Sequence, residues 1–92
     1  MEKIEKELIV ANKKGLHARP AAIFVGLVEK FDVTVTLTKG PDVVNGKSIM
    51  GLLMLGAVEG TVLKVVIEGE KSQEAMTEIE KFFNKQEEEL VS

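Results

Sequence analysis

The chain has 92 residues, a formal net charge of −3, one histidine, no cysteine, four phenylalanines and no tryptophan or tyrosine. One small domain over residues 1–92, with a modest core, is what that length allows. The composition excludes a disulfide framework and a thiolate metal site, leaves too few histidines for a His-based metal site within one chain, and argues against nucleic acid.

No apolar run approaches the ~20 residues of a membrane span. The alternating charges of residues 1–7 lack the apolar stretch of a signal peptide. A cytoplasmic protein with no membrane partner is expected. Residues 4–11 read as the first strand, with Leu8-Ile9-Val10 as an apolar centre and partial alternation from Ile4, Lys6 and Glu7. Asn12-Lys13-Lys14-Gly15 is a polar loop whose two lysines read as solvated residues that add positive charge.

The chain then runs Gly15-Leu16-His17-Ala18-Arg19-Pro20 into a helical pattern. Gly15 permits a turn at little steric cost. His17 falls at the N-cap, and Ala18 and Arg19 open the first turn. Pro20 is tolerated there because first-turn N–H groups have no intrahelical acceptor. Those N–H groups and the positive end of the helix dipole converge on the cap. With Arg19 beside them they disfavour a cationic imidazole, which predicts a neutral ring whose lone pair can attack. An anion on that ring would meet the backbone N–H groups of Ala18 and Arg19 and the Arg19 guanidinium. The arrangement fits a nucleophilic histidine that takes up a phosphoryl group. The plainer reading of a lone His before a helix is a surface residue or an improvised cap.

The helix covers residues 18–30, with Ala21, Phe24, Val25, Val28 and Phe31 on one face and Ile23 and Leu27 beside it. Val33, Val35 and Leu37 alternate with Thr34, Thr36 and Thr38, the pattern of a half-buried strand. Lys39-Gly40-Pro41-Asp42 is a turn in which Pro41 is expected at the first central position, and Val43 and Val44 form a short partner strand. Asn45-Gly46 is a hairpin signal. Residues 49–55 lack β alternation, however, and read as a short helix capped by Ser48 or Asn45, with Gly56 and Gly60 marking its end. Residues 61–68 form the last strand, in which Val62, Val65 and Ile67 stand out, and Gly69 ends it. The last helix covers residues 72–86 on an apolar face of Ala75, Met76, Ile79, Phe82 and Phe83. Glu87-Glu88-Glu89 sits where the helix dipole disfavours negative charge and predicts a frayed end. The element order βαββαβα gives an α+β two-layer open-faced sandwich with helices on one face of the sheet. These patterns leave the strand order open.

Residues 49–55 read Ile-Met-Gly-Leu-Leu-Met-Leu. A short helix on a sheet needs about half its circumference apolar, so part of this one stays exposed. Contiguous exposed apolar surface marks a partner site, and methionine adapts to more than one partner. The alternatives are a greasy core helix or a homodimer contact.

The segment Gly15-Leu16-His17-Ala18-Arg19-Pro20-Ala21 resembles the active-site signature of the HPr family, the histidine-containing phosphocarriers of the phosphoenolpyruvate-dependent phosphotransferase system. Lys47-Ser48-Ile49-Met50-Gly51 resembles that family's regulatory-serine segment. The resemblance covers roughly residues 4 to 86. It implies an antiparallel four-stranded sheet ordered 1-4-2-3. It also implies that His17 accepts the phosphoryl group, on Nδ1, while Arg19 stabilises it. Ala18, Arg19, Ala22, Ile23, Ile49, Met50 and Leu53 would form one docking face around His17. Enzyme I would deliver the group to that face and IIA domains would collect it, in weak and fast encounters. The chain would be a monomeric, stoichiometric carrier rather than an enzyme, with no cofactor or metal of its own.

Ser48 needs no regulation to explain it, since a helix cap suffices. As a site of an HPr kinase/phosphorylase, it would place a dianion beside the docking patch, and a transcription regulator would then be a further partner. Three other readings stay open. One is a nitrogen-branch regulatory carrier, of which Leu52-Leu53-Met54-Leu55 is reminiscent. Another is a purely regulatory interaction module, which the presence of His17 disfavours. The last is a small acylphosphatase-like hydrolase, for which Asn12 and Asn45 are the only candidate water-orienting amides near expected loops.

Overall fold

Residues 2–85 are described in a computed structural model. The elements are β1 (Lys3–Ile9), α1 (Ala18–Val28), β2 (Thr34–Lys39), β3 (Asp42–Asn45), α2 (Ile49–Leu55), β4 (Val62–Glu68) and α3 (Ser72–Phe83). The strands make one antiparallel sheet in the order β1-β4-β2-β3. The helices cover one face of it, so the α+β sandwich and the strand order implied by the family resemblance both stand.

Period-two alternation decides what is buried. Leu63, Val65 and Ile67 of β4 and Val35 and Leu37 of β2 face the helices and are closed to solvent. Against them α1 lays Ala21, Phe24, Val25 and Val28, α2 lays Leu52 and Leu55, and α3 lays Ala75, Met76, Ile79, Phe82 and Phe83. Phe24 meets Phe82 edge-on at 5.3 Å between ring centroids and Phe83 at 5.7 Å, within the range where aromatic pairs attract. Val62, which stands out in the sequence with Val65 and Ile67, does not join the core. It lies on the open face, half exposed, opposite Ile9 of β1, which is exposed as well. Five apolar residues in a seven-residue strand do not by themselves say which parity is inside.

The β2–β3 turn also differs from expectation. Lys39 pairs with Asp42, so Gly40 occupies the first central position, with φ +57°, and Pro41 the second. A two-residue hairpin loop needs the left-handed residue early to match strand twist, which only glycine supplies cheaply. Helix α1 stops two residues before the expected end: Lys30 N donates to Leu27 O and Phe31 N to Val28 O, tightening the last turn. Pairing of β1 ends at Ile9, although Val10 N still donates to Thr61 O. Helix α3 ends at Phe83 with Asn84 as C-cap. Gln86 and the acidic run at 87–89, with its expected fraying, lie outside the described residues. No helix among the described residues is long and apolar enough to cross a membrane.

Candidate functional site

Between β1 and α1 the backbone is pinned by a short series of hydrogen bonds. Asn12 Oδ1 accepts from Lys14 N at 2.9 Å, Asn12 O accepts from Gly15 N at 2.9 Å, and Ala57 O accepts from Leu16 N at 2.8 Å. Gly15 has φ +70°, and a Cβ there would lie 2.4 Å from Ala57 O and 2.9 Å from Val58 Cα. No other residue fits at this crossing of the His17 loop and the α2–β4 connection.

His17 follows directly as the N-cap of α1, in extended conformation, and its carbonyl accepts the first helical bond from Ala21 N at 3.0 Å. Its side chain makes no capping hydrogen bond to the helix. The residue is half-buried, while the Nε2 atom is shut off from solvent. Ala18 and Arg19 open the first turn and are exposed, and Pro20 is buried beneath them. A helix start of this kind presents N–H groups and positive dipole to whatever the imidazole carries.

The second part of the site is α2, which packs on α1. Ser48 is its N-cap: Ser48 Oγ accepts from Gly51 N at 2.9 Å. Asn45 plays a different part, its Oδ1 accepting from Lys47 N at 2.8 Å to bend the chain into the cap. Leu52 and Leu55 take the core side, and Ile49, Met50 and Met54 stay exposed, Met54 by 77%. The expected docking residues therefore divide. Ala18, Ala22, Ile49 and Met50 are exposed, whereas Ile23 and Leu53 are half-buried against the core edge.

Met54 belongs to the apolar run singled out over 49–55, though not to the expected docking set, and it is the most exposed residue of α2. Val58, 66% exposed, was absent from the sequence reading, and it sits against Gly15. Its N donates to Thr61 Oγ1 at 3.1 Å and its O accepts from Thr61 N at 3.0 Å, which holds it in a defined turn. The one available signal was an apolar residue in a glycine-flanked loop. Lys39 also went unnoticed: its Nζ donates to Leu55 O at 3.0 Å and caps the end of α2, a contact across 16 residues that no local pattern announces.

Among the described residues no cluster of metal-ligating side chains is found. The arrangement suits reversible uptake of an anion on one imidazole, beside an apolar ridge on which a partner can sit.

A family model described as the PTS HPr component phosphorylation site matches residues 4–85. The phosphocarrier protein HPr of Xylella fastidiosa (strain 9a5c) is 49% identical over 81 residues, covering 87% of this chain and 90% of that one. A multiphosphoryl transfer protein of Haemophilus influenzae is 41% identical over 76 residues, covering 79% of this chain and 15% of that much longer one. Among solved structures, a phosphocarrier protein HPr from Bacillus anthracis superposes with a TM-score of 0.85 at 32% identity, covering 90% of this chain and 99% of that one. With a fold, a helix that starts directly after His17 and relatives that all agree, the chain belongs to the HPr family of phosphocarrier proteins of the phosphotransferase system.

Proposed function

We propose that His17 accepts a phosphoryl group from phosphorylated enzyme I and passes it to IIA domains of sugar permeases. The observation that carries this reading is the placement of His17 at the N-cap of α1, in extended conformation, directly ahead of Ala18 and Arg19 in the first turn. Burial of Nε2 supports Nδ1 as the reacting nitrogen, since an atom closed to solvent cannot meet a partner's phosphorus. In the transfer the Nδ1 lone pair forms the new N–P bond as the bond from phosphorus to the donor breaks. The electron pair of the old bond leaves with the donor. Arg19 and the first-turn N–H groups of α1 receive the negative oxygens, and positioning and charge do most of the work in such a step.

The ridge of Ile49, Met50, Leu53 and Met54 beside Ala18, Ala22 and Ile23 is the surface on which enzyme I and the IIA acceptors dock in turn. The longer relative named a multiphosphoryl transfer protein supports partners of this kind. Ser48 sets a cap and borders the same ridge. A kinase that phosphorylated it would put a dianion next to Ile49 and Met50 and weaken docking without unfolding the domain.

The test is labelling from radioactive phosphoenolpyruvate with a catalytic amount of enzyme I. The wild-type chain takes up one acid-labile phosphoryl group, and His17→Ala takes up none. Undiminished labelling of His17→Ala would sink the assignment.

A further inference from the structure

Asn12 is the one polar side chain of the His17 loop that the core encloses: it is 6% exposed, and Ser72 is the only other buried polar residue among those described. It lies between the end of β1 and the end of α3 and lines, with Leu16, Pro20, Phe82 and Phe83, a small cavity beneath the loop. Its Oδ1 accepts from Lys14 N and its carbonyl from Gly15 N, both at 2.9 Å. The next N–H, of Leu16, goes to Ala57 O, and the next residue is His17. Each backbone N–H from 14 to 16 thus has its acceptor, and two of those acceptors belong to Asn12.

The other end of the same amide is not so placed. Nδ2 is buried and has no hydrogen-bond partner among the described residues. A buried donor left unmade is costly, and an apolar side chain would avoid that cost. The amide is therefore retained for its oxygen, which closes the bend.

We propose that Asn12 is a positioning residue for phosphoryl transfer: its buried side chain fixes the bend over 12–15 that delivers His17 to the head of α1. The proposal rests on the reading of His17 given above. It assigns Asn12 no contact with the phosphoryl group. Its effect is on geometry, where a displacement of about 1 Å at a reacting atom can cost on the order of a hundredfold in rate.

The test compares wild type, Asn12→Ala and Asn12→Ser in transfer from phosphorylated enzyme I, at a range of carrier concentrations and well below each melting temperature. Asn12→Ala lowers the maximal rate by thirtyfold or more, with the half-saturating concentration within twofold of wild type, because the docking ridge is untouched. Asn12→Ser keeps an oxygen that makes the same turn more weakly, so its maximal rate falls by three- to tenfold and its Lys14 amide exchanges faster than in wild type. A folded Asn12→Ala at the wild-type maximal rate overturns the proposal, as does a loss confined to the half-saturating concentration. If Asn12→Ala does not fold, Asn12→Ser decides alone, and wild-type rate with wild-type Lys14 exchange refutes the role. A wild-type chain that takes no label overturns the reading of His17 instead, so the two failures are distinct.

Discussion

At the scale of single residues, the site depends on an atom that is missing. Gly15 has no side chain because the carbonyl of Ala57 occupies the space where a Cβ would go. Gly15→Ala must both hold a left-handed φ and push two loops apart, a cost on the order of 3 kcal/mol. For a domain of this size that lowers the melting temperature by roughly 15 °C, measurable by circular dichroism. Transfer to His17 should slow well beyond what the lost stability explains, because the displaced loop carries the acceptor.

The need for glycine at 15 was legible in the sequence as a turn, but its reason was not. The clash is with residue 57, and no spacing rule links a loop to a carbonyl some forty positions away. The role of His17 as N-cap followed from Pro20 and the helical period alone. Asn12 read as part of a polar loop and, under the hydrolase alternative, as a water-orienting amide; its burial was not legible, because it depends on Phe82 and Phe83 at the far end of the chain.

At the scale of elements, α2 shows how a seven-residue helix holds an apolar surface open. Too short to be stable by propensity, it is fastened at the start by Ser48 Oγ, at the end by Lys39 Nζ and below by Leu52 and Leu55. Ser48→Ala removes the first fastening at a cost of about 1 kcal/mol. The expected result in urea denaturation is a lower midpoint with an unchanged slope. An unchanged midpoint would mean that the cap contributes nothing to α2. The helix was legible from the lack of β alternation over 49–55, and its open surface from an excess of apolar residues that no amphipathic face could absorb. The faces of β4 were less so, because Val62, Leu63, Val65, Val66 and Ile67 supply apolar residues at both parities. The tertiary structure chooses 63, 65 and 67.

At the scale of the whole molecule, the sheet order accounts for the site. Pairing of β1 with β4 brings the loop that leaves β1 against the connection that enters β4, and Leu16 and Ala57 join them. The same pairing sets α1 against α3 through Phe24, Phe82 and Phe83. Phe24→Ala would empty the centre of that cluster and cost about 4 kcal/mol, a large part of the 5–15 kcal/mol typical of a whole domain. Denaturant unfolding should show a loss of that order. A loss below about 1 kcal/mol would mean that the three rings do not hold α1 to α3. The order 1-4-2-3 could not be derived from alternation and periodicity, which are local. It came from the family resemblance, and the structure agrees with it.

The measurement that bears most directly on the account is assignment of the phosphorylated atom. The chain, labelled with ¹⁵N and charged by enzyme I and phosphoenolpyruvate, is examined by ³¹P and ¹⁵N nuclear magnetic resonance. The account predicts a single phosphoryl group on Nδ1 of His17, with the first-turn amides of Ala18 and Arg19 shifted on charging. A phosphoryl group on Nε2, on another residue, or on His17 with those amides unmoved would contradict it.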